Sequence, residues 1–213
     1  MYDLGEWPAS NCIEFTLPLA PVSQQASSSV KGVFAQEIRK YIQIARFLLS
    51  GDVQLRVGWR ISEQARYEHD RAPDIDNILK PLIDSLVGPD ALIIDDTQVQ
   101  QVTCAWSAVN TEQQSIRIGL LFKRNNWVPK RNLVFVRFQN GLCLPIPDTD
   151  SREKKLKHFQ VYSNRLSARA IADSQGVQYN NAKILMPEQR VFHRTRLSGF
   201  VVLTEQEFLA SIA

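Results

Sequence analysis

The chain has 213 residues, with 44% hydrophobic and 22% charged residues and only 9 Gly and 10 Pro, a balance that suits one or two soluble globular domains and excludes collagen-like, disordered and disulfide-scaffold classes. No apolar run approaches the ~18 residues of a spanning helix, Met1 to Glu6 lacks the basic and apolar regions of a secretory signal, and Cys12, Cys104 and Cys143 show no CxxC spacing, so reduced thiols buried as small hydrophobes and a cytoplasmic location are expected. The formal charge of +3 divides unevenly: residues 1–122 carry 10 Lys and Arg against 15 Asp and Glu, whereas residues 123–213 carry 15 against 7, the pattern expected of an acidic domain that gathers carboxylates and a basic extension that attracts a polyanion.

Ile13, Phe15 and Leu17 alternate with polar residues and predict a first strand, ended by Pro18, Pro21 and a Ser/Gln-rich loop. From Val30 to Leu49 apolar residues recur at helical spacing, with Ser27 to Ser29 available as caps and Gly51 beyond the end, which predicts a long amphipathic helix. Val53, Leu55, Val57, Trp59 and Ile61 alternate strictly and predict a half-covered strand. A charged loop follows from Glu63 to Arg71, and Ile78 to Leu86 reads as a short helix with Pro81 near its first turn and Gly88-Pro89 as its stop. Val102, Cys104 and Trp106, then Ile116 to Phe122, predict two strands pairing as a hairpin across Asn110-Thr111-Glu112.

Past Phe122 the pattern changes. Asn140-Gly141 between Leu133–Phe138 and Leu142–Ile146 signals a second hairpin, Arg152 to Arg169 is partly helical, Phe200 to Leu203 is a short strand and Glu205 to Ile212 a closing helix. The expected class is α/β in the α+β sense: a mixed sheet with packed helices over residues 1–122 and a small basic α+β extension over 123–213. Trp127, Phe135, Phe138, Phe159 and Tyr162 lie among the basic residues of the extension, where core packing and contact with nucleic acid are equally open readings.

The chemistry concentrates in Asp74-Ile-Asp76-Asn77-Ile-Leu-Lys80, then Asp84, then Asp95-Asp96-Thr97-Gln98-Val99. In an extended backbone Asp74 and Asp76 share one face, and their repulsion is relieved by a cation between them; hard oxygen ligands suit Mg²⁺, with Mn²⁺ as a substitute. Asp95 and Asp96 return after the short helix with further carboxylates, and Lys80, one turn beyond Asp76, reaches the same region. A lone D-x-D often sits in a solvated turn or caps a helix, here through Asp76 or Asn77; the whole string at these spacings is far more specific.

These residues resemble the RusA family of Holliday junction resolvases, whose motif is D-x-D-N-x-x-K, a helix with a further Asp, and D-D-x-Q-V; the opening Phe15-Thr-Leu17-Pro18-Leu-Ala-Pro21-Val-Ser23 is similar to the family's first strand and turn. The resemblance spans about residues 11–122. It implies a homodimeric, Mg²⁺-dependent endonuclease that resolves four-way junctions by paired nicks, with Asp74, Asp76 and Asp96 as metal-binding catalytic carboxylates and Lys80 as the catalytic lysine. Asn77, Asp84 and Asp95 are then supporting residues. Pro81 directly after Lys80 departs from an ordinary helix. Arg66, His69 and Arg71 flank the acidic motif and are second-tier candidates for contact with DNA backbone. Two other readings stand beside the resolvase: a RusA-like nuclease redirected to another branched or single-stranded DNA, in a phage or defence setting, and a non-catalytic DNA-binding or partner-binding protein on the same fold.

Overall fold

The computed structural model describes residues 4–69, 73–110, 113–147 and 151–212. The chain divides into two compact units, Met1–Trp127 and Val128–Ala213. The first runs β1 (Cys12–Leu17), α1 (Ser28–Ile42), β2 (Phe47–Leu49), β3 (Val53–Ile61), α2 (Glu63–Tyr67), α3 (Ile75–Ser85), a 3₁₀ turn (Asp96–Gln98), β4 (Val99–Ala108) and β5 (Ser115–Phe122); β6 (Trp127–Pro129) straddles the boundary.

Four strands form one sheet in the order β1-β5-β3-β4. β5 is antiparallel to both neighbours, with Ile118 opposite Phe15 and Val57, while β4 runs parallel to β3, with Val102 opposite Leu55. The expected pairing of the last two strands as a hairpin is therefore not formed: β3 lies between them. Its strict alternation is the reason, because Val53, Leu55, Val57, Trp59 and Ile61 are all buried and that much apolar area demands the sheet centre. β4 takes the edge, with most of its residues exposed.

Helix α1 is capped by Ser27, whose side chain accepts from the Val30 amide, and buries Phe34, Ile38 and Ile42 on the sheet core. It ends at Ile42, seven residues before the periodicity predicts. Phe47, Leu48 and Leu49 are all buried, and three consecutive buried side chains cannot occupy one helical stripe, so this segment becomes β2. Part of the expected charged loop is the short helix α2, capped by Ser62. Thr111 and Glu112 of the expected turn lie outside the described residues.

The second unit contains β7 (Val134–Arg137), β8 (Leu142–Ile146), α4 (Arg152–Ser174), α5 (Tyr179–Ala182), β9 (Phe192–His193), β10 (Val202–Thr204) and α6 (Glu205–Ser211). β7 and β8 form the expected hairpin through a 3₁₀ turn at Gln139–Gly141, and Gly141 takes φ +71°, a left-handed conformation that glycine adopts without strain. β10 adds parallel to β7 and β9 antiparallel to β8. Phe159 and Leu166 of α4 pack with Val136, Phe138, Leu144, Ile146 and Phe208, so the basic region folds around its own core. Phe159 stacks between Phe138 and Phe208, both at 5.6 Å, and Phe135 is fully buried; these aromatics are core side chains. Trp127 instead stacks on Trp7 within the first unit.

Candidate active site

Gln98 organises one side of the site. Its amide is fully buried and makes all four hydrogen bonds open to it: Nε2 donates to the carbonyls of Leu49 (2.8 Å) and Gly51 (2.6 Å), and Oε1 accepts from the amides of Ile94 (2.7 Å) and Asp95 (2.9 Å). Asp95 completes a capping box by accepting from the Thr97 amide, and its carboxylate is buried. Two members of the D-D-x-Q string are thus committed to holding the 3₁₀ turn against the end of β2. The third, Asp96, keeps its side chain 37% exposed.

Opposite it, Lys80 on α3 places Nζ 2.7 Å from Asp84 and 3.1 Å from Asp96. Hydrogen bonds to Asp84 and then Asp96 hold its ammonium above the ordinary lysine value, outweighing the opposing effect of burial. Lys80 is therefore a fixed positive charge at neutral pH, able to stabilise negative charge or release a proton and unable to accept one.

The D-x-D pair differs from the extended arrangement expected of it. α3 begins at Ile75, three residues earlier than the apolar pattern suggests, so Asp74 is the extended N-cap residue (φ −72°, ψ 159°) and Asp76 lies in the first helical turn. Asp74, rather than Asp76 or Asn77, takes the cap position, yet its side chain makes no capping hydrogen bond. Both carboxylates are exposed at the positive end of the helix dipole. Buried Ile78 and Leu82 seat the helix on the core.

Pro81 is inside α3, in its second turn rather than its first. A residue there would ordinarily donate its amide to the carbonyl four positions back, that of Asn77, and proline cannot. The Asn77 carbonyl instead accepts from the backbone amide of Gln24 at 2.7 Å. The missing donor is supplied by the loop between β1 and α1, which reconciles Pro81 with an intact site helix.

Arg66 is engaged within the protein. Its guanidinium lies 5.8 Å from the Trp59 ring and 5.7 Å from the Trp106 ring, and Nη1 donates to the carbonyl of Pro73, the residue before Asp74. Tyr67 packs edge-on against Trp106. This arrangement ties α2 to the entry of α3. His69 is exposed, and Arg71 lies outside the described residues. Trp59 and Trp106 belong to no chemical motif, whereas Gln98 stands in the D-D-x-Q-V string and the Asp95-to-Gln98 spacing is itself the signature of a capping box.

The donor chemistry suits a hard divalent cation: Asp74 and Asp76 offer exposed carboxylates, and Asp96 is on the adjoining turn. Among the described residues, no three acidic, His or Cys groups stand close enough together to form a complete cage. Lys80, ion-paired with Asp96, neutralises part of this acidic region.

The first unit is an α+β fold in which a helix bearing Asp74, Asp76 and Lys80 is joined through the Lys80–Asp96 ion pair to the turn that carries Asp96. Residues 22–120 match the family model for endodeoxyribonuclease RusA, and this part of the chain is similar to that family. No curated protein matches the chain. No helix among the described residues is long and apolar enough to cross a membrane.

Proposed function

We propose that the protein is a divalent-metal-dependent endonuclease that acts as a homodimer on four-way DNA junctions, nicking two strands symmetrically. The observation that carries this reading is the convergence of Lys80 and Asp96, within the family-matched domain, beside the helix entry that bears Asp74 and Asp76. Asp74, Asp76 and Asp96 would hold Mg²⁺, with Mn²⁺ able to substitute; the bound cation would polarise the scissile phosphate and lower the pKa of water. Lys80 presents a permanent ammonium to the charge that develops on phosphate oxygens. Asp84 holds that ammonium in place, Asp95 and Gln98 fix the turn that carries Asp96, the Asn77 carbonyl anchors α3 to the loop between β1 and α1, and Arg66 positions the backbone leading into Asp74. Two copies related by a twofold axis would meet the two equivalent strands of a symmetric junction.

The test is cleavage of a labelled four-way junction beside linear duplex and single strand, with Mg²⁺ or EDTA, by wild type and Asp76→Asn. The expected result is paired nicking of the junction, lost with EDTA and in the variant, while junction binding persists or tightens because a negative charge near phosphate is gone. Normal cleavage by Asp76→Asn overturns the site. The basic balance of residues 123–213, on a unit with its own core, favours a second reading in which that unit redirects the nuclease to another branched or single-stranded DNA. Preferential cleavage of those substrates would select it.

A further inference from the structure

The sheet of the first unit has one face packed on the core and one whose strand side chains are largely exposed among the described residues. Most of its apolar side chains, with α1, α2 and α3, lie on the packed face, while Leu121 and Cys12 pair at the end of the other face. The other face carries the alternate residues of each strand: Glu14 and Thr16 on β1, Arg117 and Gly119 on β5, Arg56, Gly58 and Arg60 on β3, and Thr103 and Ser107 on β4. Arg56 and Arg60 are exposed and make no ion pair among the described residues. Arg117 is paired with Glu14, the one acid among these side chains. A hollow of about 480 Å³ opens on this face, lined by Glu14, Phe15, Thr16, Gly58, Arg60, Ser107 and Arg117; Phe15 is buried, its side chain belonging to the core on the packed face.

Glycine in a strand interior costs about 0.5–1 kcal/mol relative to alanine and commonly marks a close approach. The chain's own packing does not demand the two found here. A Cβ on Gly58 would lie 3.6 Å from the Arg117 Cβ, and one on Gly119 would lie 3.5 Å from the Arg56 Cβ, both ordinary contacts. The floor of the hollow is lower than the protein needs.

We propose that this face is a second DNA contact, a platform for the phosphate backbone of a duplex arm, on the opposite side of the sheet from α3; it rests on the reading that the substrate is branched DNA. Charge selects the occupant. A second copy packed face to face would set Arg56, Arg60 and Arg117 against their own equivalents with only Glu14 to offset them, which is unfavourable. A single strand would bring unstacked bases that need aromatic partners, and no aromatic side chain among the described residues belongs to this face. A duplex needs only cations and small polar donors at phosphate spacing. Arg56 and Arg60 are four strand residues apart, roughly 13 Å, close to four base-pair rises of ~3.4 Å.

The experiment measures binding of linear duplex and of the four-way junction in EDTA across a salt series, for wild type, Arg56→Gln/Arg60→Gln and Arg56→Lys/Arg60→Lys, with tryptophan fluorescence confirming folding and sedimentation reporting oligomeric state. Each phosphate contact contributes about 0.9 to the slope of log K against log salt, so the Gln pair is expected to flatten it by about 1.8 and to weaken binding roughly 60-fold at 0.1 M salt; the Lys pair keeps the slope. An unchanged slope in the folded Gln pair overturns the platform while leaving the active-site reading intact. A Gln pair that changes oligomeric state without changing the slope also overturns it, in favour of a second copy. Failure of wild type to bind either DNA would overturn both the platform and the nuclease reading.

Discussion

Replacing Gln98 with Ala removes a side chain that satisfies four buried backbone groups at once. The carbonyls of Leu49 and Gly51 and the amides of Ile94 and Asp95 lose their partner together, in a site with no exposure of the amide to solvent. A typical hydrogen bond contributes about 1 kcal/mol net and an orphaned buried group costs about 1–3 kcal/mol, so the loss is on the order of 4 kcal/mol. That is a large share of the ~5–15 kcal/mol by which domains are ordinarily stable. With an unfolding entropy near 2.1 cal/mol/K per residue over the 127 residues of the first unit, it lowers the melting midpoint by about 15 °C. The assay is tryptophan fluorescence: all four tryptophans, Trp7, Trp59, Trp106 and Trp127, belong to this unit, so the signal reports its unfolding alone. Gln100→Ala is the control, since Gln100 is exposed and bonds to Asp52, and it should move the midpoint by no more than about 2 °C. A Gln98→Ala midpoint within about 3 °C of wild type would refute the keystone role of this amide.

Arg66→Ala should raise the divalent-ion concentration needed for half-maximal cleavage while leaving junction binding in EDTA nearly unchanged, and Arg66→Lys should not restore it, because an ammonium cannot both lie between two indoles and bond to the Pro73 carbonyl; weaker binding in EDTA with an unaltered ion requirement would instead make Arg66 a DNA contact. For Lys80, the folded-state pKa is raised above 10.5, so its ion pairs stabilise fully below the unfolded value and are lost as pH rises through the folded one. The difference in melting midpoint between wild type and Lys80→Gln should be flat from neutral pH to about 10 and shrink above that; shrinkage near neutrality would contradict the clamp. Burial pushes the Cys104 and Cys143 thiols up, so both should resist alkylation at neutral pH until the protein is unfolded, as mass spectrometry of labelled peptides would report.

The parts of this fold legible in the sequence are those where local pattern and final environment agree. β3 alternates perfectly and sits at the sheet centre, and Asn140-Gly141 turns the hairpin of the second unit. What misleads is context. Phe47 to Leu49 continues a helical period but is buried on every side, and β4 and β5 are adjacent in sequence yet separated by β3. In the candidate site, the spacing singles out Lys80 and Asp96, which the structure brings together, but does not show how the neighbouring acids divide their contacts. Asp95 and Asp96 are neighbours of the same type, and only the hydrogen bonds show one buried as a cap and the other facing Lys80. Arg66 reads as a free cation because its partners come from β3, β4 and the entry of α3.

The bond from Gln24 to Asn77 gives the site helix an unusual relation to mutation. Because it joins one backbone to another, side-chain changes at either residue leave both bonding atoms in place, so the connection is blind to residue identity and sensitive to chain length. One residue inserted between Leu17 and Gln24 would shift the donor out of register with a carbonyl that Pro81 cannot serve, whereas insertions just after Gln25, before the Ser27 cap, would leave it alone. Pro81→Ala would supply the helix with its own donor and make the loop dispensable. Two neighbouring stretches of the same polar loop should therefore differ sharply in the insertions they tolerate, and the boundary between them is set by a proline more than fifty positions away.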